Sequence, residues 1–153
     1  MQTNDIIMTR IGIIHTKFSG KEKMPRQGRF SSDTEGYVEF SKEYTAGLLD
    51  LNTFSHAVLI FNFHKSNSYD LIQNTRRGKK PHGVFATRSP LRPSSIGLTT
   101  VKIKSIEGNI LKFYGADMIN GTPLLDIKPY ITEIDSYPDA NSGWIKNWTP
   151  NTK

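Results

Sequence analysis

Apolar and polar residues in this chain alternate far more often than they recur at helical spacing. Leu98-Thr-Thr-Val-Lys-Ile-Lys-Ser-Ile106 sets Val101 and Ile103 on one side and Lys102 and Lys104 on the other, the two-residue period of a half-buried strand. Glu107-Gly-Asn then turns the chain into Ile110-Leu-Lys-Phe-Tyr114, and the pair predicts a hairpin. Ile11 to His15 is a short apolar run, and Tyr37-Val-Glu-Phe40 alternates. His56 to His64 is dense in β-branched and aromatic residues, which predicts a strand buried on both faces. Leu124 to Lys128 reads as another strand, and Val84-Phe-Ala86 as a short buried one. A single short helix is expected over Ser41 to Leu49, with Ser41 as N-cap and Tyr44, Leu48 and Leu49 on one side. The fold class is therefore mainly β, and many short strands separated by turn signals point to a barrel or a sandwich.

Length and composition narrow this. A chain of 153 residues without an internal linker or repeat is expected to form one domain over 1–153. The formal charge of +6 favours a polyanionic partner. The absence of cysteine excludes disulfides, thiolate zinc sites and a cysteine nucleophile. Met1-Gln-Thr-Asn-Asp5 lacks a signal-peptide pattern, and the apolar run Ala57 to Phe61 is too short to span a bilayer. The expectation is a soluble, cytoplasmic protein with no membrane partner. No two glycines are separated by one residue, so a Rossmann-type Gly-x-Gly loop is ruled out. The four histidines do not have the spacing of a helical zinc site. His56 and His64 would stand about 26 Å apart along one strand. No metal is expected.

The candidate chemistry lies in the loops. Gly83 to Leu98 holds Arg88 and Arg92 together with Pro90 and Pro93. Two prolines stiffen a segment that can then fix guanidiniums toward an anion or a flat ring, or simply form a structural turn. Met24-Pro-Arg-Gln27 is a second stiff polar element, and Asp117 to Tyr130 a third, with a turn at Asn120-Gly121. Asp126 is an acid within an apolar run, either functional or ion-paired, with Arg88 or Arg92 as the expected partner. His64 is either a ligand-facing or a hydrogen-bonded structural histidine. The polar stretch 66–82, expected to be mobile, carries Arg76, Arg77, Lys79 and Lys80. The tail 138–153, also expected to be mobile, carries Trp144 and Trp148, which either tie it to the body or stack on bases.

Gly83 to Leu98, preceded by Pro25-Arg-Gln27, Phe54-Ser-His56 and Phe63-His64 and followed by Gly121 to Tyr130, resembles the TsaA/TrmO family of S-adenosylmethionine-dependent tRNA methyltransferases from about Ile11 to Tyr137. The resemblance implies a single small non-Rossmann β-barrel with one or two short helices, and a homodimer with the cofactor near the subunit interface. It also implies methylation of N6 of threonylcarbamoyladenosine beside the anticodon. By resemblance, Pro25, Arg26, Gln27, His64, Lys65, Arg88, Leu98, Leu124, Leu125, Asp126 and Ile127 surround the cofactor. Asp126, then Tyr130, are the candidate catalytic bases. Arg76, Arg77, Lys79, Lys80 and Arg92 are candidate tRNA contacts, with Lys102 and Lys104 extending that surface. The alternative is a cofactor-binding regulatory or adaptor module without transferase activity. The family loop usually reads Arg-Pro-Asn-Pro-Ile-Gly, whereas here it is Arg92-Pro-Ser-Ser-Ile-Gly97, a departure expected to loosen it slightly. The chain resembles the short form of the family, which in many bacterial members carries a further C-terminal domain.

Overall fold

Six of the strands close on themselves. The computed structural model describes residues 4–20, 24–76 and 78–145. Its strands are β1 (Gly12–Thr16), β2 (Glu35–Phe40), β3 (His56–Asn62), β4 (Ile72–Gln73), β5 (His82–Gly83), β6 (Ile96–Glu107), β7 (Ile110–Tyr114) and β8 (Thr122–Pro129). The order β1-β2-β7-β6-β3-β8 forms a closed antiparallel barrel, and β4 with β5 makes a small separate ladder. Alternation sends one set of side chains inward. Ile14, Val38, Leu59, Val101, Leu111, Phe113 and Leu124 are buried in the barrel interior, each contributing roughly 2 kcal/mol of burial.

The β6–β7 hairpin forms as the alternation predicts, through Gly108 at φ 59° and with a bulge between Ile103 and Ser105. Three expectations are corrected. β3 alternates between buried and half-buried residues and ends at Asn62, so His64 lies beyond it. Its outward face is only half covered because this wall belongs to a barrel and not to a doubly packed sheet. Val84–Ala86 is a 3-10 turn and Phe85 is 76% exposed; a three-residue apolar run cannot by itself distinguish the two conformations. The segment Lys42–Leu48 is a 3-10 helix that buries Leu48 and leaves Tyr44 and Leu49 exposed. Ser41 stands at its N-cap position without a side-chain capping bond. The only α-helix among the described residues is α1 (Thr132–Asp135).

One end of the barrel gathers the long connections. The C-terminal end of β3, the N-terminal ends of β6 and β8, and the 115–121 loop all meet there. Gly28 packs directly on the 115–121 loop. A Cβ at Gly28 would come within 1.9 Å of the Gly115 carbonyl oxygen, so only glycine permits this approach.

Candidate active site

The proline-arginine loop is pinned mainly by its own polar groups. Arg92 donates from Nη1 to the carbonyls of Thr87 (2.9 Å) and Ser89 (3.3 Å). The Ser89 N–H donates to Thr87 Oγ1, and the Leu91 N–H to Ser89 Oγ. Ser66 and Gln73 donate to the carbonyls of Pro90 and Leu91. Ser95 closes the loop at φ 47°, with its N–H donating to the Arg92 carbonyl at 3.1 Å. Proline can neither adopt that φ nor donate that bond. The departure from the family loop therefore stands at a turn that proline cannot form.

This loop, residues 24–27, the end of β3 and residues 117–119 enclose a cleft of about 520 Å³ at the barrel end. Its apolar surface comes from Phe61, Phe63, Ile96 and Leu98. The Phe61 and Phe63 rings meet edge to face at 5.5 Å. They press on Gly97 so closely that a Cβ there would lie 2.3 Å from the Phe61 ring. Four cations line the same cleft: Arg26, Lys65, Arg88 and Arg92.

Its carboxylate is Asp117, which sequence reasoning passed over. Thr99 Oγ1 donates to Asp117 Oδ1 at 2.8 Å, and the Gly28 N–H donates to Oδ2 at 2.8 Å. Asp117 thereby ties the strand β6 to the loop carrying Gln27. Burial pushes its carboxyl above the ordinary aspartate value, offset in part by those two donors, its own backbone N–H and the Arg88 charge. Arg88 Nη1 reaches Gln27 Oε1 at a long 3.5 Å, leaving the guanidinium available to a carboxylate. Partial desolvation, and then the Lys65 ammonium, hold the largely exposed His64 below the usual histidine value, which favours the neutral imidazole.

Of the residues assigned to the cofactor, Pro25, Arg26, Gln27, His64, Lys65, Arg88 and Leu98 line this cleft. The β8 quartet does not. Leu124 is fully buried in the core, and Leu125 lines a separate depression with Ile6 and Met8. A bulge explains the rest. Phe61 pairs with Leu124 but Ile60 with Asp126, so Leu125 is the extra residue and the alternation reverses across it. Ile127 packs toward the core opposite Leu59, and Asp126 lies opposite the half-buried Ile60. Its ion-pair partner is Lys128 at 2.9 Å, not Arg88 or Arg92. Tyr130 follows β8 beyond the end opposite Thr122, which lines the cleft. Eight residues of strand place it about 27 Å away, against the His56 ring. Within one chain these positions do not reach the cleft.

Arg76, Lys79 and Lys80 are exposed on the turn between β4 and β5; Arg77 lies outside the described residues. Lys104 is held by Glu35 at 2.5 Å, and Lys102 is exposed. Trp144 ties the tail down, stacking on His82 at 3.9 Å and donating from Nε1 to the Ala86 carbonyl. Trp148 lies outside the described residues.

The family profile of the tRNA-methyltransferase O N-terminal domain matches residues 13–136. A probable S-adenosyl-L-methionine-binding protein of Pyrococcus abyssi is 42% identical over 136 residues, covering 89% of this chain and 74% of its own length. The human tRNA (adenine(37)-N6)-methyltransferase is 38% identical, covering 89% of this chain but 32% of the human protein. The crystal structure of TrmO from Pseudomonas aeruginosa superimposes with a TM-score of 0.77 at 33% identity, over 91% of this chain and 62% of that one. Against these last two, the chain spans about a third and about three fifths of the relative's length. By profile, sequence and barrel architecture, the chain belongs to the TrmO family.

Proposed function

We propose that this protein is an S-adenosylmethionine-dependent tRNA methyltransferase acting on N6 of threonylcarbamoyladenosine beside the anticodon. The single observation that carries the reading is the barrel-end cleft, in which aromatic faces, an available guanidinium and a neutral imidazole converge. Names borne by relatives, both S-adenosylmethionine-binding and tRNA (adenine(37)-N6)-methyltransferase, support it.

The residues present fit the cofactor's chemistry. A volume of about 520 Å³ lies within the ordinary range for small-molecule pockets. Phe61, Phe63 and Leu98 offer apolar faces to a purine, and Arg88 offers a bidentate fork to the methionine carboxylate. When bound, S-adenosylmethionine supplies an electrophilic methyl group on a positively charged sulfur. A neutral His64 adds no charge against that sulfur and can accept the proton that N6 must lose. Asp117 is a positioning residue, since its two oxygens are engaged by Thr99 and Gly28. Most of the catalytic effect then lies in holding acceptor and methyl in line.

The proposed protein is cytoplasmic, and among the described residues no helix is long and apolar enough to cross a membrane. It works as a homodimer. Half-exposed Ile96, on the cleft wall, and the exposed Ile6 and Ile7 supply an apolar surface for a second copy. Exposed Arg76, Lys79 and Lys80 meet tRNA phosphates.

The test is incubation of the full chain with labelled S-adenosylmethionine and tRNA with or without threonylcarbamoyladenosine. Transfer confined to the modified tRNA is expected. Cofactor binding without transfer would reduce the protein to a binding module. In the same assay His64→Gln should lower transfer more than cofactor affinity. Asp126→Asn should leave transfer intact unless a second copy brings Asp126 to the cleft.

A further inference from the structure

We propose that a basic depression on the outer barrel wall, divided from the cleft by residues 117–120, binds the backbone of the RNA strand flanking the base held in the cleft. This rests on the tRNA reading above and adds a location for the strand.

The partition is one tetrapeptide thick. Asp117, Met118 and Ile119 line the cleft, whereas Asn120 lines the depression. Thr16 fixes that wall, donating from Oγ1 to the Met118 carbonyl at 2.8 Å and from its N–H to Asn120 Oδ1 at 3.1 Å. A polymer with one unit in the cleft therefore meets the depression within a short span of backbone.

The depression has a volume of about 440 Å³. Its floor is a row across three strands, since His15 pairs with Tyr37 and Tyr37 with Lys112. Outward-facing neighbours in such a row stand close enough to act together. His15 and Tyr37 are stacked, with centroids 4.6 Å apart and planes 16° from parallel, and Tyr37 is 40% exposed. Flat aromatic surface beside cations is the combination that takes single-stranded RNA.

The charge distribution favours a polymer over a small anion. Glu35 neutralises Lys104, and Glu39 lies 3.4 Å from His15 Nε2. Lys17 and Lys112 make no ion pair among the described residues. These two cations sit on different elements, β7 and the segment after β1, and both line the depression, where each can meet a phosphate of a continuous backbone.

The experiment measures binding of full-length tRNA to the full chain across a salt series, beside calorimetric binding of S-adenosylmethionine. Lys17→Glu with Lys112→Glu should weaken tRNA binding by at least about tenfold and flatten the log–log salt slope by about two. Cofactor affinity should stay at the wild-type value, which also reports an intact barrel. Lys17→Arg with Lys112→Arg should retain tRNA binding. Should the reversed pair misfold, the alanine pair carries the same slope criterion. Unchanged tRNA affinity and slope, with transfer still confined to modified tRNA, would overturn this site and leave the function standing. Wild-type protein that binds no tRNA would overturn both.

Discussion

Two of the arginine-bearing loops of this molecule use that residue in opposite ways. In the 87–95 loop, Arg92 spends its guanidinium on the loop's own carbonyls at Thr87 and Ser89. In the 74–81 turn, Gly78 donates to Thr75 Oγ1, and Arg76, Lys79 and Lys80 stay exposed. The first loop is held by side chain to backbone bonds that leave Arg88 free for a ligand in a fixed place. The second leaves its charges exposed at the surface. A small ligand of defined shape needs the first arrangement, because every donor must arrive at one point. A polyanion with many equivalent phosphates is served by the second.

Breaking the pinned loop should produce the largest effect. Arg92→Ala removes a charged donor from two carbonyls, and such bonds contribute about 1.5–3 kcal/mol each. Cofactor affinity should fall about a hundredfold by calorimetry, a difference near 2.7 kcal/mol. Retained affinity would mean the loop is positioned by its prolines alone. Ser95→Pro should come next, costing about 2 kcal/mol in urea unfolding because the residue must leave its left-handed φ and lose a donor. Ser95→Gly should gain up to about 1 kcal/mol at the same position. If proline is neutral there, the turn at Ser95 is not what closes the loop. Smallest, the triple replacement of Arg76, Lys79 and Lys80 by alanine should lower tRNA affinity about tenfold and flatten its salt slope. Folding stability should change by less than about 0.5 kcal/mol. A larger loss of stability would show that this turn, too, is structural.

The strands were legible because alternation follows directly from backbone geometry, as in Leu98 to Ile106. The loop motifs carried the family and seven of the cleft residues. Asp126 was not legible. Counting by twos from the buried Leu124 puts it inside, but the bulge at Leu125 reverses the parity, and a bulge depends on the facing strand. Asp117 escaped notice for a related reason. Its importance comes from Thr99 on β6 and Gly28 in the first long loop, contacts created only when the barrel closes. Ser95 could be seen as a departure from the family loop, whereas its φ could not.

Closure of the six strands has a further consequence for whatever this protein meets. An open sheet offers a partner its unpaired backbone at either margin, and such a partner can add a strand with little regard to sequence. Here β1 is satisfied by β2 on one side and β8 on the other, and so around the ring. That offer is withdrawn wherever the ladders of the ring run. A partner that docks on the paired wall is recognised by the side chains there and at its rim, so surface substitutions can retune that choice while the cylinder beneath stays the same.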